Sequence, residues 1–451
     1  MNLAHFVTNA APPERARAVA GRAVLDTIGV TLAGTSEPAA RIVRQLVAAN
    51  GSGACTVLGA RERAGAADAA LANGTAAHAL DYDDMCFVSL AHPSAPLVSA
   101  SLAAAELDGR PGRALLDAYV VGFELEARLG RAMNPRHYQR GWHCTSTIGT
   151  IGAAAAAARL LDLDEAAAGH ALAIAASEAC GLKENFGTMV KPLHAGLAAR
   201  NGVLAALLGR AGMTAAAGAL IGPQGFVKAM DGERAPSVDE LCAELGTRWE
   251  IVESGITVKL YPSCAATHPM LDVLLDLKRR ERFGAEDVDA IDIGVDAITP
   301  TVLIYDRPVT GLEAKFSMPF CAAAAAVYGR VGIDTFADNR IRAAELEALR
   351  PRVTMRVDPT LDASAPPLTQ ARIAVRLRSG RVLTASAKGA RGYPERPATD
   401  EQLAEKFVSC AGRAMPESDA VAALDVVRDI EHIADVRVVT AALARGRVST
   451  P

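Results

Sequence analysis

His78-Ala-Leu-Asp81-Tyr-Asp83-Asp84, followed closely by His92-Pro-Ser94, sets two histidines beside three carboxylates. A helix ends in the carboxylates, and the His-Pro-Ser opens the next one. As a site wall, Asp81 orients a base while His92 exchanges protons or binds an anion. The competing reading is a loop of helix caps and surface acids. Gly141-Trp142-His143-Cys144-Thr145 is the second string of this kind. His143 stands immediately before a helix start, where backbone N–H groups favour a bound anion. A neutral imidazole there, with an unperturbed pKa of about 6.5, suits a proton shuttle. A structural histidine bonded to a carbonyl is the alternative, and Thr145 reads as a helix cap.

The third string, Lys183-Glu-Asn-Phe-Gly187-Thr-Met-Val-Lys191-Pro-Leu-His194-Ala-Gly196, is more informative. The chain has eight lysines against thirty-nine arginines, so lysine is not its default cation. A lysine among Phe186, Met189, Val190 and Leu193 loses hydration and, unlike arginine, can then give or take a proton. The alternative for Lys191 is an exposed loop cation, and His194, on the following helix, reads as a packed core histidine. The fourth string is Lys259-Leu-Tyr261-Pro-Ser-Cys264-Ala-Ala-Thr267-His268-Pro269. Lys259 can reach an anion there. Cys264 reads as a buried thiol, since spacing alone implies no Cys–His nucleophile. Glu313-Ala-Lys315 reads as a helix start.

These strings need a scaffold. From Pro12 to about Gly255 apolar residues recur at helical spacing. The pattern predicts helices from Pro13 to Gly34, Ala66 to Ala79, Ser94 to Leu107, Arg113 to Met133, Thr145 to Leu161 and Leu193 to Gly212, with a further start at Asp164. Beyond Lys259 the texture changes. Ile291, Ile293 and Val295 alternate as a strand would, and so do Val353, Met355 and Val357. Ile373 to Leu377, Ser379-Gly380 and Val382-Leu383 read as a hairpin. Helical stretches at 267–282 and 314–328 lie between, and helices return after Thr399. The expected fold is mainly α with an α+β second domain: a helical bundle over 1–258, an α+β lid over 259–398, and helices over 399–451 that rejoin the bundle.

Composition narrows the function. A chain of 451 residues exceeds one compact core. A net charge of -4 carries no basic surplus for nucleic acid. No apolar run reaches the roughly 18–20 residues of a membrane span, and Met1 to Gly34 has no signal-peptide pattern. Eight scattered cysteines without a Cys-x-x-Cys point to reduced thiols in a cytoplasm. No phosphate-binding or dinucleotide motif occurs, and the nine histidines show no ligand spacing with cysteines or carboxylates, so neither a cofactor nor a metal is expected.

In order and separation the four strings resemble the MmgE/PrpD family. The likeness also takes in Lys191-Pro-Leu-His194-Ala-Gly196-Leu-Ala-Ala-Arg200-Asn-Gly202, and it extends over nearly the whole chain, more loosely after about residue 330. The resemblance implies a helical domain with a smaller α+β lid, a homodimer, and cofactor-free chemistry on small polycarboxylates: dehydration of 2-methylcitrate, decarboxylation of cis-aconitate or epimerisation of iminodisuccinate. It places Asp81, His92, His143, Lys191 and Lys259 in the pocket. Lys191 and His143 then transfer protons, Asp81 orients or tunes one of them, and His92 and Lys259 hold substrate carboxylates. Three further pocket positions depart from the decarboxylases. Cys264 stands for a histidine, Met85 for a threonine and Phe320 for a tyrosine, which weighs against cis-aconitate. The leading expectation is a lyase of the dehydratase type. Epimerisation, supported by the segment from Asn185 to Gly202, comes next, followed by decarboxylation and a non-catalytic metabolite-binding homologue.

Overall fold

The computed structural model describes residues 2–231, 237–361 and 369–444. The chain divides into two compact units, one from Met1–Asn185, Met189–Ile256 and Thr399–Pro451, the other from Phe186–Thr188 and Thr257–Ala398.

The longer helices of the first part of the first unit are α1 (Glu14–Gly34), α2 (Pro38–Ala49), α3 (Ala66–His78), α4 (Ser94–Asp108), α5 (Gly112–Met133), α6 (Cys144–Leu160), α7 (Glu165–Glu178) and α8 (Val190–Arg210). The unit is not purely helical. A short antiparallel ribbon, β1 (Cys55–Thr56) with β2 (Arg63–Ala64), precedes α3. Small residues decide the packing. At the contact of α3 with α8, a Cβ on Gly74 would lie 2.9 Å from Gly196 Cα, and one on Gly196 would run into Thr75 Oγ1 and the Leu71 carbonyl. The two backbones touch there, flanked by a buried cluster of Ala77, Ala95 and Ala195. Farther along α8, a Cβ on Gly202 would sit 2.5 Å from Ala153 Cβ of α6.

Two helix starts differ from the sequence reading. Helix α8 begins at Val190, not Leu193, because Pro192 falls in its first turn, where the missing N–H has no intrahelical partner anyway. Lys191 and His194 are therefore helical. Helix α6 is capped by His143, so Thr145 is no cap. Its hydroxyl instead accepts the backbone N–H of His92 at 2.9 Å.

The second unit contains α9 (His268–Glu281) and α10 (Met318–Tyr328) with strands β3 (Val288–Val295), β4 (Val353–Val357), β5 (Gln370–Leu377) and β6 (Val382–Lys388). The sheet order is β4-β3-β5-β6. Strands β3 and β4 run parallel, and the other pairs are antiparallel. Alternate residues of β3 (Ile291, Ile293, Val295) and β5 (Ala371, Ile373, Val375) are buried, the period of two that the sequence shows. Gly380, at φ 84°, turns β5 into β6. The helix expected over 314–328 is interrupted. A single turn, Gly311–Ala314, precedes a break at which Ser317 caps α10 by accepting the Phe320 N–H at 3.2 Å. The chain returns to the first unit with α11 (Asp400–Ala411), α12 (Glu417–Arg428) and α13 (Arg437–Leu443). Among the described residues, no helix is long and apolar enough to cross a membrane.

Candidate active site

Helix α3 ends at His78, and the chain then turns sharply. Asp81 adopts a left-handed backbone (φ 52°), with its N–H donating to the His78 carbonyl at 3.2 Å. Aspartate tolerates this conformation better than most residues, and such strain collects at functional sites. A second left-handed residue, Leu90, and an isolated bridge between Cys86 and Ala91 fold the segment back. His92 thereby returns beside the carboxylates it follows in sequence. From the C-terminal side, Lys406 of α11 donates to the Tyr82 carbonyl at 2.9 Å and pairs with buried Asp26 at 2.7 Å.

The result is a buried cluster within the first unit. His78 Nδ1 lies 2.7 Å from Asp83 Oδ2, and His78 Nε2 lies 2.8 Å from Lys191 Nζ. Lys191 also donates to Asp81 Oδ1 at 2.7 Å. His92 approaches both acids, with Nδ1 3.5 Å from Asp83 and Nε2 3.8 Å from Asp81. Its ring meets that of His78 edge-on at 4.6 Å. On the other side His143 stacks on His78 at 5.8 Å, and its Nδ1 lies 3.0 Å from Nδ1 of His194. The structure thus gathers Asp81, His92, His143 and Lys191. With Lys191 only 4% exposed, the loop-cation reading is set aside.

Two members were missed as site residues. His78 was read only as part of its string, and His194 as a packed core residue. Each stands three residues from an assigned residue, His78 before Asp81 across the end of α3 and His194 after Lys191 on one face of α8, and that spacing is the signal that could have found them.

Burial sets the charge states. It pushes the His143 pKa well below the usual value, assisted by Lys191, His78 and His194. It lowers His194 to about 4, with His78 and Lys191 adding to the effect. It lowers His78 as well, against the opposing pull of Asp83. All three imidazoles are therefore neutral near pH 7, and each can donate through one nitrogen and accept through the other. Asp84 behaves differently. Burial raises it to about 8, against hydrogen bonds from the Ser94 hydroxyl and from the Ser94 N–H at 3.2 Å. It is a protonated brace at the start of α4, so the three adjacent carboxylates do not share one role.

Helices α4, α6 and α8 all begin at the cluster, immediately after His92, at His143 and just before Lys191. Amino ends of helices carry partial positive charge and free N–H groups. Three of them around a lysine and neutral imidazoles make a setting suited to a small polyanion.

His78, Asp81, Asp83 and His92 also present ligand atoms within 4.8 Å of one another, a set able to hold a metal ion. Linear spacing shows no such set; left-handed Asp81 and the Cys86–Ala91 bridge close the gap that it leaves open. Two members of the set, His78 through Nε2 and Asp81 through Oδ1, already hydrogen-bond to Lys191 Nζ. The cationic place is filled by the protein's own ammonium.

The remaining assigned residues are placed as follows. Met85 is half-buried, next to Asp84. In the second unit Lys259 is fully buried, and Phe320 is buried with its ring 5.7 Å from Phe336. Cys264 is only partly buried, unlike the buried thiol expected, because it caps a short 3-10 turn with its N–H on the Lys315 carbonyl at 3.0 Å. His268 is buried, with Nε2 at 3.1 Å from the Ser263 carbonyl.

The MmgE/PrpD N-terminal domain matches residues 1–239 and the C-terminal domain residues 261–432. Cis-aconitate decarboxylase of Aspergillus terreus is 27% identical over 466 residues, covering 96% of this chain and 93% of that protein. The human enzyme of that name is 28% identical over 445 residues, covering 94% and 89%, and the mouse enzyme 27% over 437 residues, covering 93% and 87%.

Proposed function

The chain belongs to the MmgE/PrpD family, and on that premise we propose that it is a lyase that decarboxylates a cis-aconitate-like unsaturated polycarboxylate. The dehydratase reading of the sequence gives way to its decarboxylase alternative, because the relatives matched over nearly their whole length carry the decarboxylase name. At the three positions that the family resemblance assigns to substrate, Cys264, Met85 and Phe320 are read as a variation in substrate fit, not as a different reaction.

The observation that carries the proposal is the buried Lys191 ammonium, held by Asp81 and His78 in a nest of neutral imidazoles. Decarboxylation breaks one C–C bond. Carbon dioxide leaves, and the electron pair stays on the carbon skeleton, where a conjugated carboxylate spreads it. One proton must then reach carbon. Lys191 supplies that proton, and His143 holds or relays it. Asp81 orients the ammonium, and the amino ends of α4, α6 and α8 offset the charge of the carboxylates. His92 is proposed to hold a substrate carboxylate. The same role for Lys259 rests on the family resemblance, as does a homodimer, and a cytoplasmic location rests on the scattered cysteines.

The test is turnover in deuterated water followed by NMR, with cis-aconitate, citrate, 2-methylcitrate and iminodisuccinate as separate substrates. The proposal expects carbon dioxide and an unsaturated dicarboxylate carrying one deuterium from cis-aconitate. An unsaturated tricarboxylate formed from 2-methylcitrate, with cis-aconitate untouched, would restore elimination. Deuterium exchange into iminodisuccinate without net product would establish epimerisation.

A further inference from the structure

We propose that His78, held by Asp83, is a positioning residue that aims Lys191. This deepens the assignment of Lys191 to proton transfer and rests on it. A lysine ammonium has three donors and no acceptor. Its 2.8 Å contact with His78 Nε2 therefore requires a lone pair on that nitrogen. An imidazole with a lone pair on Nε2 carries its one proton on the other nitrogen. That nitrogen, Nδ1, lies 2.7 Å from Asp83 Oδ2, a carboxylate oxygen able to accept it.

The direction of both hydrogen bonds follows. Asp83 selects the Nδ1–H tautomer, and the tautomer turns the His78 lone pair toward Lys191. With Asp81 accepting a second proton at 2.7 Å, two contacts from different segments fix where the Lys191 ammonium lies and how it is turned. His78 is 1% exposed and sits at the end of α3, where the glycine contact with α8 sets its distance from Lys191.

Two substitutions separate this role from simple packing. In Asp83→Asn the amide can donate to His78 Nδ1, which moves the imidazole proton to Nε2 and faces a donor against the ammonium. In His78→Gln the side-chain carbonyl can still accept from Lys191, whereas His78→Leu cannot. The first readout needs no substrate: 15N NMR of histidine-labelled protein should show His78 protonated at Nδ1 in the native chain and at Nε2 in Asp83→Asn. The second is steady-state kinetics on whichever substrate turns over. Asp83→Asn and His78→Leu should lower kcat at least about 10²-fold with KM changed less than about threefold, and His78→Gln should recover at least about tenfold of that loss. A native His78 protonated at Nε2 overturns the proposal, whatever the substrate proves to be. So does an equal loss in His78→Gln and His78→Leu with both folded by circular dichroism. If no substrate on the panel turns over while the tautomers are as expected, the decarboxylase reading fails and the positioning role stands.

Discussion

Lys191 and His143 differ in kind although both are buried in one cluster. The lysine is clasped by a carboxylate and an imidazole lone pair, while His143 is kept neutral by burial and by nearby Lys191. Removing either group removes a proton-transfer partner, so Lys191→Met and His143→Ala should each lower kcat about 10²–10⁴-fold, measured with the substrate identified by NMR. Full turnover in both variants would exclude the assigned roles. Asp84 gives a pH prediction of definite sign. Its carboxyl stays protonated in the fold up to about 8 but ionises near the ordinary aspartate value of 3.8 when unfolded. Its contribution to stability is therefore complete below that lower value and is lost as pH rises toward 8. Asp84→Asn keeps the hydrogen-bonding pattern of the protonated acid without the titration. Urea unfolding at pH of about 5, 6.5 and 8 should show the variant gaining on the native protein as pH rises, by at most about 1.4 kcal/mol per unit. Parallel curves would show that Asp84 is ionised in the fold.

At the scale of elements, the site depends on how closely two helices approach. Gly74 and Gly196 let α3 and α8 touch, and His78 and Lys191 lie about one turn from that contact on their own helices. A methyl group on Gly196 has no free space, as it meets Thr75 and the Leu71 carbonyl. Gly196→Ala should therefore cost about 1–3 kcal/mol in urea unfolding and lower kcat as well, by moving the lysine off the imidazole. Gly21 in α1 is the matched control, since nothing lies within 4 Å of a Cβ there. Gly21→Ala should leave kcat unchanged and stabilise by about 0.4–1 kcal/mol, chiefly by restricting the unfolded chain. Equal effects at both glycines would mean that helix propensity, and not close approach, is what these positions report.

At the scale of the whole molecule, the returning C-terminal helices take part in the first unit's chemistry. Lys406 joins α11 to Asp26 of α1 and to the carbonyl of Tyr82, the residue between Asp81 and Asp83. Burial pushes the Asp26 carboxyl up even with Lys406 2.7 Å away, so an Asp26 left alone can take up a proton. Lys406→Met should then cost about 3 kcal/mol, the lower end for a broken buried pair, as read from guanidinium unfolding. It should also lower kcat, because the Tyr82 carbonyl loses its anchor. Native stability in this variant would show that the last helices are not coupled to the site loop.

What the sequence determined by itself is what depends on local periodicity and residue type. The runs at Val19–Ile28, Leu115–Leu129 and Ile373–Leu377 announced their elements because spacing of 3.6 or 2 shows whether one face is buried. Asp81, His143 and Lys191 stood out because ionisable groups in apolar surroundings are costly to keep without a use. Helix starts were less legible, since Pro192 and His143 act through position and not through capping strength. Only the tertiary structure decided that Lys191 is clasped and not exposed, that Asp84 is neutral beside ionisable neighbours, and that His78 and His194 join the site. Those facts depend on distances and desolvation between residues far apart in the chain, and a linear pattern carries no term for either.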